Sequence, residues 1–150
     1  MALLTSENLT ILLILCGIFA IVLGLTHIVY PQLFHYKSLI FTASNLHRQI
    51  EPFKLWPIVY PLDLKNLYGI IWTMNFHVSF VLISIGFVEI FYPQWLLSQA
   101  RYLIIWFAAW WFLRATCQLL LGRKWYDWGI LVGFAVLGAI HVGMVLASPP

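Results

Sequence analysis

Five side chains of this chain could do chemistry where few side chains can: His27, His77, Glu89, Arg114 and His141. Each stands inside a long apolar run, and an ionisable group in hydrocarbon must be paired, hydrated or functional. Histidine suits general acid–base work near neutral pH. Two histidines at matching depth on separate helices could also be the axial ligands of a haem b iron. An arginine beside them would clamp an anion, a carbonyl or a propionate. It could equally tie helices together through Gln118, Asn75 or a backbone carbonyl. The catalytic candidates are therefore His77, His141 and Arg114, with His77 and His141 also the cofactor-binding candidates. Glu89 could pair with Arg101 across a short turn or serve as a proton-path carboxylate, and His27 lies near a membrane edge, where an imidazole is cheap.

The elements that must position these groups follow from composition. The 150 residues are 63% hydrophobic and 9% charged, with a mean hydropathy of +0.92. A soluble domain is about half apolar and roughly a quarter charged, so a soluble globule is excluded. Hydropathy predicts four spans: Leu9 to Val29, Leu67 to Phe91, Tyr102 to Leu121 and Trp128 to Ala147. Lipid admits only helices and closed barrels, and these runs lack barrel alternation. The expected fold is an all-α, multi-pass four-helix bundle forming one transmembrane domain over residues 1–150. Pro31 and Pro93 are expected to end the first two spans, as proline does just past a helix. The first ten residues hold no Lys or Arg, so the first span reads as retained rather than as a cleaved signal peptide.

The net charge is +3. Its cations are scattered through the connections, which points to topology and anionic headgroups rather than nucleic acid. Lys37, Arg48, Lys54 and Lys65 lie in the first connection, Arg123 and Lys124 in the third, and Arg101 alone in the second. This places the first and third connections in the cytoplasm and both termini outside it, in a cell membrane. The long first connection contains a candidate interfacial helix, Gln32 to Gln49, followed by an extended stretch, Glu51 to Leu64.

Counting 1.5 Å per residue puts His77 and His141 within about 5 Å of the same depth. Faces follow from the 100° turn per residue. Gly17, Ala20, Gly24 and His27 form one stripe, and Thr73, His77, Phe80 and Ser84 another. Asn75, Ser79, Gly86 and Glu89 lie nearly opposite His77. Phe107, Trp110 or Trp111, Arg114, Cys117 and Gln118 lie together, as do Phe134, Gly138, His141 and Val145. Gly138 would leave room for a flat macrocycle beside His141. Gly129 and Gly133 fit small-residue helix packing, within the bundle or between copies.

Two echoes run through the chain. Gly24-Leu-Thr-His-Ile-Val-Tyr-Pro-Gln resembles Gly86-Phe-Val-Glu-Ile-Phe-Tyr-Pro-Gln, and Leu23-Gly24-Leu-Thr-His27 resembles Leu137-Gly138-Ala-Ile-His141. The first is open to duplication or to convergence on an aromatic belt with a proline stop. A phosphate-cradling loop, a paired-cysteine motif and HExxH are all absent from the sequence. His35 and His47 have no metal-ligand spacing. Cys16 and Cys117 read as packing thiols.

The four-span plan, with a Gly-x-x-His near the end of the first span, resembles the small bacterial membrane proteins of the DoxX-like kind. The resemblance implies the helical plan and no activity.

Three functions remain open. The chain could hold a lipophilic ligand or substrate in a His/Arg-lined intramembrane cavity, with acid–base catalysis of the isomerase, cyclase or lyase type. It could be a haem b or quinone-linked electron-transfer protein. It could be a structural or assembly subunit, working as a homo-oligomer or inside a membrane complex.

Overall fold

The computed structural model describes residues 5–33, 35, 49–55, 58–121 and 125–148. In chain order the elements are α1 (Ser6–Leu33), β1 (Gln49–Leu55), β2 (Ile58–Asp63), α2 (Leu64–Phe91), α3 (Pro93–Ser98), α4 (Arg101–Leu121) and α5 (Trp125–Ala147). Apart from one hairpin, every regular element among the described residues is a helix. Three helical stretches are long and apolar enough to cross a membrane: Ser6–Leu33, Asn66–Phe91 and Asp127–Ala147. The composition thus carries membrane localisation. α4 is less apolar, because its 21 residues include Arg101, Arg114 and Gln118.

Local chemistry sets the helix ends. Thr5 precedes α1, and its hydroxyl accepts from Asn8 N at 3.3 Å, satisfying one of the donors a helix start leaves over. Glu7 in the first turn of α1 and Asp127 in that of α5 complement the positive ends of their helix dipoles. Pro93 opens α3 at its first turn, where a missing N–H costs nothing.

Pro31 behaves otherwise than the sequence predicts. It lies inside α1, which continues to Leu33. Proline there cannot donate to the carbonyl four residues back, that of His27. The Asn75 side-chain Nδ2 donates to that carbonyl instead. A borrowed donor keeps the bond count whole, so the helix need not stop. Past its end, His35 N donates to Gln32 O at 3.1 Å, with His35 at a left-handed φ of 47°.

The strands β1 and β2 pair antiparallel, with Gln49 opposite Asp63 and Leu55 opposite Ile58. The register slips between Ile50 and Phe53, around Pro52. A residue without an N–H is tolerated at such a bulge. The predicted interfacial helix Gln32 to Gln49 lies outside the described residues but for its two ends and His35. His47 lies outside them too.

The chain gathers into two compact units, Ala20–Ser84 and Met1–Phe19 with Ile85–Pro150. In the first, α1 and α2 touch at Gly24: a Cβ there would meet Ile83 Cγ1 at 2.8 Å and the Ser79 carbonyl oxygen at 3.0 Å. In the second, α4 and α5 pack along their length. Its core holds Leu9, Leu13 and Cys16 of α1, Leu96 of α3, Ile104, Phe107, Ala108 and Trp111 of α4, and Phe134 and Met144 of α5. Trp111 stacks on Phe134 with ring centroids 5.7 Å apart. Both cysteines are free thiols, Cys16 buried.

Candidate functional site

Burial decides between the two faces of α2. Thr73, His77 and Phe80 are exposed, whereas Ser79, Leu82, Gly86 and Glu89 are buried. The packed face is therefore the one opposite His77. The His77 ring donates through Nδ1–H to its own helix, at the Thr73 carbonyl, 2.7 Å away.

His141 repeats that local bond in a different setting. Its Nδ1–H donates to the Leu137 carbonyl at 2.7 Å, again four residues back. Its Nε2 lies 2.6 Å from Glu89 Oε1, and both side chains are 0% exposed. The Phe107 ring closes edge-on against the imidazole, centroids 6.5 Å apart. Gly17 of α1 lies against the same carboxylate residue: a Cβ at Gly17 would come within 3.0 Å of Glu89 Cβ and 2.8 Å of the Gly86 carbonyl oxygen. Small residues thus let the backbones close around Glu89.

The proton count of this pair is fixed by its partners. A carbonyl only accepts, so Nδ1 of His141 carries a hydrogen. The 2.6 Å contact needs one further proton, on Nε2 or on Oε1. Imidazolium with carboxylate and imidazole with carboxylic acid have the same total charge of zero. The pair is one neutral unit holding one transferable proton, the form in which ionisable groups can be buried. The short contact is in the range of charge-assisted bonds. Glu89 Oε2 is buried and has no partner among the described residues.

This arrangement corrects the expected partner of Glu89. The carboxylate pairs with His141, while Arg101 Nε donates to the Leu97 carbonyl at 3.0 Å, within the turn before its own helix. Glu89 lies at the packed face of α2, and that rotation, rather than proximity in sequence, chooses the partner.

Arg114 is half-buried, its guanidinium 5.6 Å from the centre of the Phe134 ring, in cation–π range. Of the partners expected for it, Gln118 donates through Nε2 to Asp127 Oδ1 at 3.5 Å and Asn75 bonds His27. His27 Nδ1 lies 3.1 Å from Asn75 Oδ1. The Asn75 amide thus spans the ring and the backbone carbonyl of one residue, donating to the carbonyl and accepting from the ring.

Of the three catalytic candidates, His141 and Arg114 belong to the same unit and His77 to the other. The space at Gly138 is taken by the Phe112 ring, which a Cβ would meet at 2.9 Å. His141 has both ring nitrogens engaged, so a haem b iron could take it only by displacing Glu89 or the Leu137 carbonyl. Among the described residues no group of three or more His, Cys, Asp or Glu side chains could hold a metal ion.

Sequence reasoning missed the pairings of Glu89 with His141 and of Asn75 with His27. A signal was present. Gly24-x-x-His27, Gly86-x-x-Glu89 and Gly138-x-x-His141 each put a glycine one turn before an ionisable group. All three glycines are buried. A tight glycine marks a helix contact, and the ionisable group one turn away shares it.

No protein-family model matches this chain, and no curated protein or solved structure matches it either. The likeness of layout to DoxX-like proteins has no counterpart in these comparisons.

Proposed function

We propose that this chain is a four-span membrane protein that carries out acid–base chemistry on a lipophilic substrate, with the Glu89–His141 pair as its proton-exchanging group. One observation carries the reading: a carboxyl and an imidazole 2.6 Å apart, both fully buried, in a unit built of apolar helices. In this reading α4 is the fourth span and both termini face away from the cytoplasm. Its polar residues are accommodated inward, Gln118 on Asp127 and Arg114 over Phe134.

A buried pair with one proton can take a proton from one carbon or oxygen, hold the positive charge on its imidazolium, and return the proton to another, ending neutral as it began. That is the requirement of isomerase, cyclase or lyase steps of the acid–base type. Arg114 contributes fixed positive charge to the same unit, suited to stabilising an enolate or carbonyl oxygen. His77 is outside this machinery, because it sits on the exposed face of α2.

The test is comparative lipid extraction. Membranes expressing the wild type should yield a lipophilic product that is missing with Glu89→Gln or His141→Phe and retained with His77→Phe. Extracts identical to those of empty membranes, or a product that persists in Glu89→Gln protein, would overturn the proposal in favour of a purely structural pair.

A further inference from the structure

We infer that Glu89 Oε2 is the docking atom for an O–H group, supplied by a buried water or by the hydroxyl head of a lipophilic molecule. The inference rests on the proposed acid–base role of the pair and names the kind of group that meets it.

Three observations lead there. First, His141 is used up: Nδ1 serves the Leu137 carbonyl and Nε2 serves Glu89. A molecule approaching the pair cannot engage the imidazole without breaking one of those bonds. Second, Glu89 Oε2 is buried with no partner among the described residues. A carboxyl oxygen in that position carries the full cost of its desolvation. What it requires is a hydrogen-bond donor. Third, the same unit buries two indole donors, Trp110 Nε1 and Trp111 Nε1, also without partners among the described residues. Each of these groups needs a partner of its own, and for Oε2 a hydroxyl supplies the donor while its lone pairs stay open to a donor of its surroundings. Ketones, ethers and hydrocarbons cannot donate to Oε2, and an ammonium would add a charge beside a pair that is neutral.

The consequence for chemistry is directional. Proton traffic between the pair and a bound molecule passes through Glu89, with His141 as the positioning residue behind it. When the O–H of a bound molecule gives its proton to Oε2, the proton on the Oε1 side moves to Nε2. The bound oxygen keeps the electron pair of its former O–H bond, and the imidazolium takes the positive charge. The reverse transfer restores both.

Infrared spectroscopy of the full chain in nanodiscs tests this without an enzymatic assay. In D2O, a buried water on Oε2 gives a sharp O–D stretching band that Glu89→Gln removes. A hydroxylated lipophile is probed with an alkylphenol and its methyl ether on wild-type protein. The phenol shifts the Glu89 carboxyl band and the ether leaves it in place. The water band assigns the donor to solvent, and a phenol-specific shift assigns it to a lipophile head. An absent water band together with equal responses to phenol and ether, or no response to either, would overturn the inference. The phenol–ether contrast uses only wild-type protein, so a folding defect in the variant cannot imitate it. Failure here with a Glu89-dependent product still formed leaves the proposed function standing, and a positive result with no product leaves only the docking atom.

Discussion

The two units solve one problem with different chemistry. In Ala20–Ser84, His27 meets the amide of Asn75; in the other unit, His141 meets the carboxyl of Glu89. Both histidines follow a tight glycine by one turn, and both partners come from the packed face of α2. The amide has no proton to give up, so the His27 contact joins helices and does no more. The carboxyl shares a proton with its imidazole, so the His141 contact joins helices and can also exchange. In the proposed function, a single change of residue type, amide to acid, separates a clasp from a reactive pair.

The largest effect that would test this contrast comes from halving the buried pair. Glu89→Leu or His141→Leu should each cost about 3–5 kcal/mol, because an ionisable group is stranded in the core. The double replacement should recover most of the loss. Unfolding in mixed micelles, read as a double-mutant cycle, measures it. Additive losses would mean that the two side chains act independently.

Next in size are the close helix contacts. Gly17→Ala and Gly138→Ala should cost about 1–3 kcal/mol each, since the added methyl collides with the Gly86 carbonyl or with the Phe112 ring. Gly129→Ala meets nothing within 4 Å and should stay within about 0.5 kcal/mol. Equal midpoints for all three in thermal melts would refute the assigned contacts.

The clasp should cost less than the reactive pair. Asn75→Leu removes two bonds to His27 and should lose about 0.6–1.7 kcal/mol. Adding Pro31→Ala should restore part of it, because an alanine N–H can serve the His27 carbonyl from within α1. If Pro31→Ala gives the same gain with Asn75 intact, the amide is not covering for the proline. The smallest effect belongs to His77→Phe, a change on an exposed face, expected within about 0.5 kcal/mol. A larger loss would place His77 in the same class as His141.

Much of this fold was readable before the structure. Hydropathy located the three most apolar spans because lipid burial demands long unbroken runs, and their ends shifted only by a few residues. The periodicity of α2 separated its faces correctly into a His77 stripe and an Asn75–Glu89 stripe. It could not say which stripe packs. Helical period fixes angles within a helix, whereas the rotation of one helix against the next depends on side-chain shape at the contact. For the same reason Glu89 read as a partner of nearby Arg101, and its true partner lies 52 residues away. Pro31 shows a second limit. A proline stops a helix only when the carbonyl it strands finds no other donor, and that donor came from another element.

The borrowed bond at His27 has a consequence for biogenesis. Until the second span arrives, the first carries a carbonyl that its own helix cannot serve from Pro31. The two spans are thus expected to leave the insertion machinery as a hairpin, with release of the first delayed until Asn75 has been synthesised. Ribosome-stalled chains cut short before and after Asn75 would show this as a change in crosslinking of the first span from machinery to lipid. The delay should vanish with Pro31→Ala; unchanged timing would mean that the membrane bears the stranded carbonyl alone.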